Sequence, residues 1–193
     1  VVLENEWLNI FISPSRGGTI LELDYKPKSL NLSNTLSRRR ESYHDKIIKS
    51  AAAYDNPGLS SSPHSIHDAR LVKEEHLENY LVYDHYRKVS LIEHFLNEEV
   101  SPSDFSRGNY IECGNFIGNV FESKAKSAKS EIALNLTCGG LVNNQKVKLT
   151  KEIRIFKNKA KVEINYRIQN QGNKILNLYF GAEFNFYLHN QKF

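Results

Sequence analysis

The stretch that decides the fold is residues 131–170, EIALNLTCGGLVNNQKVKLTKEIRIFKNKAKVEINYRIQN. Apolar side chains recur there at every second position in three runs, and mostly polar side chains fill the positions between them. Successive side chains of a β-strand point to opposite faces, so this period predicts strands with one buried and one solvated face. The apolar positions are Ile132, Leu134, Leu136 and Cys138, then Val147, Leu149, Ile153 and Ile155, and finally Ala160, Val162, Ile164, Tyr166 and Ile168.

Short turns separate these runs. Asn143-Asn144, Lys157–Lys159 and Gln171–Asn173 carry residues that favour tight connections. Strands joined in this way pair antiparallel, and an amphipathic antiparallel sheet must bury its apolar face against another layer. The sequence therefore predicts a mainly β protein, an antiparallel β-sandwich forming a single domain over residues 1–193.

The N-terminal region extends this prediction. Residues 6–12 and 19–25 predict a β-hairpin across the Pro- and Gly-containing turn between them. Helical spacing of apolar residues, with a capping residue before it, predicts a short helix near 34–48, and a second short helix is predicted near 73–81. We expect loops at 50–65, which is dense in Ser, Pro and Gly, and at 97–109.

The last predicted strand covers residues 176–188. Its apolar face consists of Leu176, Leu178, Phe180, Ala182, Phe184, Phe186 and Leu188, and its other face of Asn177, Tyr179, Gly181, Glu183, Asn185 and Tyr187. The second face has two interpretations: a groove that stacks and hydrogen-bonds sugars, or a second packed face. Because the chain stops five residues after this strand, we expect further strands to be missing at this end.

Composition excludes several classes of protein. The net charge is +4, from 26 basic and 22 acidic residues, without the clustered basic face of a nucleic-acid binder. No apolar run is long enough for a membrane helix. We therefore expect a cytoplasmic protein without nucleic-acid or membrane partners.

The sequence carries no signature of a catalytic or cofactor site. It contains no phosphate-binding loop, no His-Glu-x-x-His pattern, no paired Cys-x-x-Cys pattern and no Gly-x-Ser-x-Gly elbow. We expect no cofactor and no metal. The carboxylates are too many for a glycosidase pair to be chosen from sequence.

Several stretches carry a family resemblance. They are Gly17–Tyr25, Asn34–His44, Ser65–Asp68, Tyr83–Phe95 and Phe180–Asn185. In the same order, they resemble the C-terminal domain of glycoside hydrolase family 57 enzymes, which include 4-α-glucanotransferases and α-amylases. The resemblance covers nearly the whole chain and is poor at 50–64 and 97–130.

The resemblance implies a galactose-mutarotase-like sandwich, or supersandwich, and a parent enzyme that acts on α-1,4-glucans by a retaining mechanism. The family's catalytic Glu and Asp lie in an N-terminal barrel to which no part of this chain corresponds. No catalytic residue is therefore assigned, and the fragment is not expected to be catalytic alone. The resemblance also implies a truncated domain, with the barrel upstream and more strands after Phe193.

Three functions follow from these observations. The first is an accessory domain that packs on its own catalytic barrel and contributes to the substrate cleft. A polar group of side chains would hold an interface loop or contact sugar in that case: Arg38, Arg39, Tyr43, His44, His67 and Asp68.

The second function is a carbohydrate-binding module for α-glucan or maltooligosaccharide, using Tyr179, Glu183, Asn185 and Tyr187. The third is a sugar mutarotase or epimerase, with His67 or His94 as the acid and Glu183 as the base. The choice between hydrolase and transferase, and the presence of a homo-oligomer, are left open by the sequence.

Overall fold

The computed structural model describes residues 1–55 and 76–187, with only the backbone described at 50–55. Strands dominate these residues. They are β1 (Val2–Glu4), β2 (Leu8–Ser13), β3 (Thr19–Tyr25), β4 (Leu30–Asn31), β5 (Ile92–Leu96), β6 (Glu122–Ser127), β7 (Glu131–Val142), β8 (Gln145–Phe156), β9 (Val162–Asn170) and β10 (Tyr179–Glu183). Two α-helices accompany them within the same ranges, α1 (His44–Asp55) and α2 (Pro102–Arg107).

The described strands form antiparallel sheets, as predicted. One sheet has the order β1-β2-β3-β4, another has the order β6-β7-β8-β9, and β5 pairs with β10. Most apolar positions of the 131–170 stretch lie on the inner face of the second sheet and pack against Leu3, Leu8, Ile10, Ile12 and Ile20 of the first. Ala160, which precedes β9, and Ile168 are instead exposed. The prediction of a mainly β sandwich with few short helices is confirmed.

Strand β5 pairs with β10 and is linked to the β1–β4 sheet. Its pairing with β10 sets Phe95 opposite Phe180 and His94 opposite Gly181. Ser90, just before β5, exchanges backbone hydrogen bonds with Ile20 of β3. This continuity connects the β5–β10 pair to the β1–β4 layer, and all five side chains of β5 are buried.

The helix predicted at 34–48 begins ten residues later than expected. Residues 34–40 have no helical structure, and α1 covers His44–Asp55. Tertiary hydrogen bonds hold the earlier part extended: Asn34 N donates to Asn185 O, and Ser37 Oγ accepts from Lys88 N. Such contacts override helix propensity. Near 73–81 the structure has a single 3₁₀ turn, Leu77–Tyr80, and residues 73–75 lie outside the described residues.

The two predicted loops are also corrected. Residues 50–55 belong to α1, and 56–65 lie outside the described residues. Helix α2 lies inside the predicted 97–109 loop. Ser101 caps it by accepting a hydrogen bond from Asp104 N, Pro102 occupies the first turn, and Gly108 ends it at φ 77°. Ser101, Pro102 and Gly108 are residues typical of helix boundaries, and the helix that they enclose is only six residues long.

The long strand predicted at 176–188 is wrong, because β10 ends at Glu183. Phe184 and Phe186 are 40% and 46% exposed and stack on each other, whereas Asn185 is half-buried. The reason is that Asn185 bonds inward, with its N to Ser90 Oγ and its Nδ2 to Val89 O. Leu188 lies outside the described residues.

Candidate functional site

A network of polar side chains centres on Glu183, at the end of β10. Its Oε1 accepts from Lys88 Nζ at 2.7 Å and from Asn185 Nδ2 at 2.9 Å. Its Oε2 accepts from Tyr86 OH at 2.6 Å and lies 3.1 Å from His94 Nε2. We call these residues, with Glu112, the Glu183 network.

His94 connects two carboxylates. Its side chain is 1% exposed, and its Nδ1 lies 2.9 Å from Glu112 Oε2 while its Nε2 faces Glu183. Burial alone would lower the pKa of His94, but the bonds to Glu112 and Glu183 outweigh burial and raise it above its ordinary value of 6.5. A doubly protonated imidazolium donates from both nitrogens, so it satisfies both partners.

Glu183 stays ionised in this setting. Burial by itself would raise its pKa, but hydrogen bonds from His94, Lys88, Tyr86 and Asn185 lower it to about 2. Glu112 is held by backbone donors, since its Oε1 accepts from Phe95 N at 2.8 Å and from Gly114 N at 3.1 Å.

Aromatic rings enclose the network. Phe105 of α2 stacks on Tyr110 with ring centroids 4.9 Å apart and presents its ring edge-on to His94 at 5.1 Å. Lys88 Nζ lies 4.5 Å from the centroid of the Tyr86 ring. The short helix α2 therefore serves to place one wall of this site.

Arg38 extends the network toward the surface. Its backbone N and its Nε donate to the Asp84 carboxylate at 2.6 and 3.0 Å, and its Nη2 donates to Ser106 O at 2.7 Å. Asp84 also lies 3.9 Å from Lys88 Nζ. Burial would raise the pKa of Asp84, but the bonds to Arg38 outweigh it, so the net shift is downward.

The other residues predicted around Arg38 lie in different settings. His44 is buried; its Nδ1 accepts from Glu41 N at 3.1 Å and lies 3.0 Å from Tyr83 OH, and the Tyr43 ring packs edge-on against it at 4.3 Å. Arg39 is exposed. His67 and Asp68 lie outside the described residues.

The four residues predicted to contact sugar on the last strand, Tyr179, Glu183, Asn185 and Tyr187, lie in two different settings. Glu183 and Asn185 belong to the network, and their polar atoms bond to groups within the chain. Tyr179 and Tyr187 are 53% and 54% exposed. Contact of these four residues with sugar remains a prediction.

Sequence reasoning missed two of the four side chains that bond to Glu183, namely Tyr86 and Lys88. Tyr86, Lys88, Tyr110 and Glu112 were not selected, although Tyr83-Asp-His-Tyr-Arg-Lys88 is a dense polar run directly before a buried strand. That run was the available signal. Glu112 and Tyr110 had none, since they lie in a stretch without periodicity.

Among the described residues, two cavities border the Glu183 network. One, of about 290 Å³, has Tyr86 in its lining together with Gly17, Arg87 and Glu93. The other, lined among others by Arg38, Lys88 and Tyr110, has a volume of about 10 Å³. That is room for about one water molecule.

Within residues 1–55 and 76–187, no group of three His, Cys, Asp or Glu side chains is arranged to hold a metal ion. Among the same residues, no helix has the length and apolar character needed to cross a membrane.

Comparison with known proteins agrees with the sandwich fold. In the crystal structure of 4-alpha-glucanotransferase from Thermococcus litoralis, a region superimposes with a TM-score of 0.69 at 24% identity, over 96% of this chain and 26% of that one. Alpha-amylase 1 of Dictyoglomus thermophilum is 33% identical over 186 residues, which is 96% of this chain and 25% of that protein. The 4-alpha-glucanotransferase of Thermococcus kodakarensis is 26% identical over 189 residues, 98% of this chain and 27% of that protein.

The chain thus spans about a quarter of the length of these relatives. A family model described as "Alpha-amylase/4-alpha-glucanotransferase, C-terminal" matches residues 1–192. Taken with the sandwich fold, this match shows that the chain belongs to the alpha-amylase/4-alpha-glucanotransferase C-terminal domain family.

Proposed function

We propose that this chain is a non-catalytic accessory domain that packs on the catalytic barrel of an α-1,4-glucan-processing enzyme. The family match to a C-terminal domain supports this proposal, as do relatives that are about four times longer and are named as an α-amylase and a glucanotransferase. The barrel, the retaining mechanism and membership of glycoside hydrolase family 57 come from the sequence resemblance and are part of the same proposal.

The burial and mutual bonding of His94 and Glu183 are the observation that carries the non-catalytic role. A catalytic acid and base must reach the substrate, directly or through one water. His94 and Glu183 are 1% and 8% exposed and bond to each other, and the cavity lined by Lys88 and Tyr110 beside them is about 10 Å³. This geometry argues against the mutarotase alternative, in which His94 and Glu183 would stand on either side of a sugar.

The network has a clear structural task. It ties together three parts of the chain that are distant in sequence: the Arg38 segment, the stretch from Asp84 to Glu112, and the end of β10. The joined segments carry exposed polar and aromatic side chains: Arg38, Arg39 and Tyr43 in the first, and Tyr179 and Tyr187 in and after β10. Mixed polarity of this kind is typical of interfaces between domains of one chain. We place the barrel contact on this side.

Turnover by the full-length enzyme tests the non-catalytic role. The variant His94→Gln should turn over maltoheptaose at a rate within about threefold of the parent, because general acid–base groups contribute about 10²–10⁴-fold and His94 is not one. Its melting temperature should fall, since the network loses a charged donor. Turnover that drops by about 100-fold at an unchanged melting temperature would show that His94 is catalytic.

Amine cross-linking of the full-length enzyme tests the side that docks. Lys46 and Lys49 of α1 are exposed next to the Arg38 segment, whereas Lys124 and Lys126 lie on β6, in the opposite sheet. Cross-links to the catalytic part are expected from the first pair. Cross-links from Lys124 and Lys126 alone would place the barrel against β6 and contradict the proposed docking side.

A further inference from the structure

Two exposed aromatic rings lie on the outer face of the β1–β4 sheet. Leu8, Ile10 and Ile12 of β2 point into the core, so the alternating positions, including Phe11, point outward. Trp7 extends this pattern by one residue, because its carbonyl oxygen accepts from Lys26 N and continues the β2–β3 ladder. Trp7 is 36% and Phe11 37% exposed.

A row of polar side chains crosses the sheet between the two rings. The pairing register aligns Glu4 with Asn9, Asn9 with Asp24, and Asp24 with Asn31. Asn9 Nδ2 donates to Asp24 Oδ2 at 3.2 Å. Residues four apart in a strand are separated by about 13 Å, so Trp7 and Phe11 stand on either side of this row.

Each ring has its own neighbours. Phe11 pairs across the sheet with Val2 on one side and Glu22 on the other. Next to Trp7, the Lys26 ammonium bonds to the Glu4 carboxylate. The face therefore presents an aromatic ring toward each end, beside the charged side chains of Glu22 and Lys26, and carboxylate and amide groups between the rings.

This arrangement matches the chemistry of a neutral oligosaccharide. Aromatic rings pack against the C–H faces of sugar rings, carboxylates accept from hydroxyl groups, and an amide both donates and accepts. Sites for small polar ligands combine an aromatic surface with a few placed polar groups in this way.

A protein partner fits the same face less well. The centre of a protein interface is depleted of charged residues, and here Asp24 lies at the centre, with Glu4 in the same row and Glu22 beside Phe11. Burying these carboxylates against another protein without matched donors would be costly. Sugar hydroxyls can supply a donor to each of them.

A cleft adjoins the Trp7 end of the face. It has a volume of about 620 Å³ and shares Glu4 and Lys26 with the polar row. Its other polar lining residues include Glu6, Lys129, Glu131 and Lys157. A volume of this size holds an oligosaccharide rather than a single small ion.

We propose that the outer face of the β1–β4 sheet binds a neutral oligosaccharide chain, with Trp7 and Phe11 as stacking platforms and the polar row of Asn9 and Asp24 bonding the hydroxyl groups between them. The chain runs along β2, and its Trp7 end enters the adjoining cleft. That the oligosaccharide is an α-glucan rests on the function proposed above.

Affinity electrophoresis of the full-length enzyme in native gels containing glycogen tests this site. The variants are Trp7→Ala and Phe11→Ala, and Tyr80→Ala is the matched control, since Tyr80 is an aromatic side chain that is 80% exposed elsewhere. Each ring variant should raise the apparent dissociation constant for glycogen about tenfold. The control should migrate as the parent enzyme does, and its turnover of maltotriose should be unchanged.

Several outcomes would overturn the proposal. Unchanged retardation of both ring variants, or no retardation of the parent enzyme by glycogen, dextran or xylan, would show that the face binds no glycan. A fall in melting temperature or a smaller sedimentation coefficient in the ring variants would show that the catalytic part or a second copy covers it. Retardation by dextran or xylan and not by glycogen would keep the site and reject an α-1,4-glucan as its ligand. Turnover by His94→Gln does not depend on these results, so the accessory role stands or fails separately.

Discussion

Glu93 and His94 are neighbours on β5, and they enter two different ionic clusters on opposite faces of that strand. Glu93 points into the core, where its carboxylate bonds to Lys151 Nζ and to Tyr166 OH. His94 points the other way, into the Glu183 network. Both clusters are buried, but they differ in the number of partners that each charge has.

The core cluster is small. Lys151 is 0% exposed, and besides Glu93 its Nζ donates to Gly17 O at 2.8 Å and Leu91 O at 3.3 Å. Burial raises the pKa of Glu93 and lowers the pKa of Lys151, so removal from water dominates at both groups. In the Glu183 network the carboxylate has four partners, and its pKa falls. Depth of burial also differs, since the Glu93 side chain is 1% exposed and the Glu183 side chain 8%, so burial and the number of hydrogen bonds together account for the opposite pKa shifts of the two carboxylates.

The largest expected effect follows from removing one partner of the core pair. Lys151→Ala leaves the Glu93 carboxylate buried without its cation, and it should lower the free energy of unfolding by about 3–5 kcal/mol. Urea denaturation followed by circular dichroism measures this loss. Lys148→Ala, on the outer face of the same strand, serves as the control and should have little effect.

The double variant Glu93→Gln with Lys151→Met sharpens the same test. It removes both charges while keeping similar volumes, so it should recover most of the stability lost in Lys151→Ala. If the double variant is as unstable as the single one, the pair itself stabilises the core, and the contrast between the two clusters fails.

A smaller loss is expected in the Glu183 network. Glu183→Gln replaces an ionised acceptor of four bonds with a neutral amide, and hydrogen bonds to charged groups contribute about 1.5–3 kcal/mol. Differential scanning calorimetry should show a lower melting temperature. The exposed Glu122→Gln is the control, and an equal effect in both variants would contradict the network's role.

The smallest effect is a pH dependence. The pKa of folded His94 is raised above 6.5, so its stabilisation is complete below that unfolded value and is lost as pH rises through the folded pKa. Glu183 stays ionised throughout this window. The melting temperature of the parent protein should therefore exceed that of His94→Gln most below about pH 6.5, and the difference should shrink as the pH rises through the folded pKa of His94. A constant difference would show that His94 stays neutral.

Local pattern was enough for one half of the fold. The 131–170 stretch predicted β7, β8 and β9 correctly, because amphipathic strands joined by tight turns need no distant information. The same alternation contains Lys151 at a core-facing position between Leu149 and Ile153. A single basic residue at a core-facing strand position indicates a buried ion pair, but the strand pattern does not identify Glu93 as the partner of Lys151.

The other half depends on contacts between distant residues. Residues 34–40 were predicted helical, but backbone and side-chain bonds to Asp84, Lys88 and Asn185 hold them extended. The predicted strand at 176–188 ends early for a similar reason. Glu183 was selected from sequence, but the meeting of Lys88, His94 and Glu183 follows from the pairing of β5 with β10, which no local pattern encodes.

The pairing of β5 with β10 also sets an order of events during synthesis. His94 and Glu183 are separated by 89 residues, so ribosomal synthesis releases β5 well before β10, and the 131–170 meander shortly before it. Local hairpins form early, whereas a pairing of long sequence separation comes late. Until β10 docks, the nascent chain carries His94 and Lys88 without the Glu183 carboxylate, beside an open strand edge. This interval is when the polypeptide would most need a chaperone, and the docking of the five-residue strand β10 ends it.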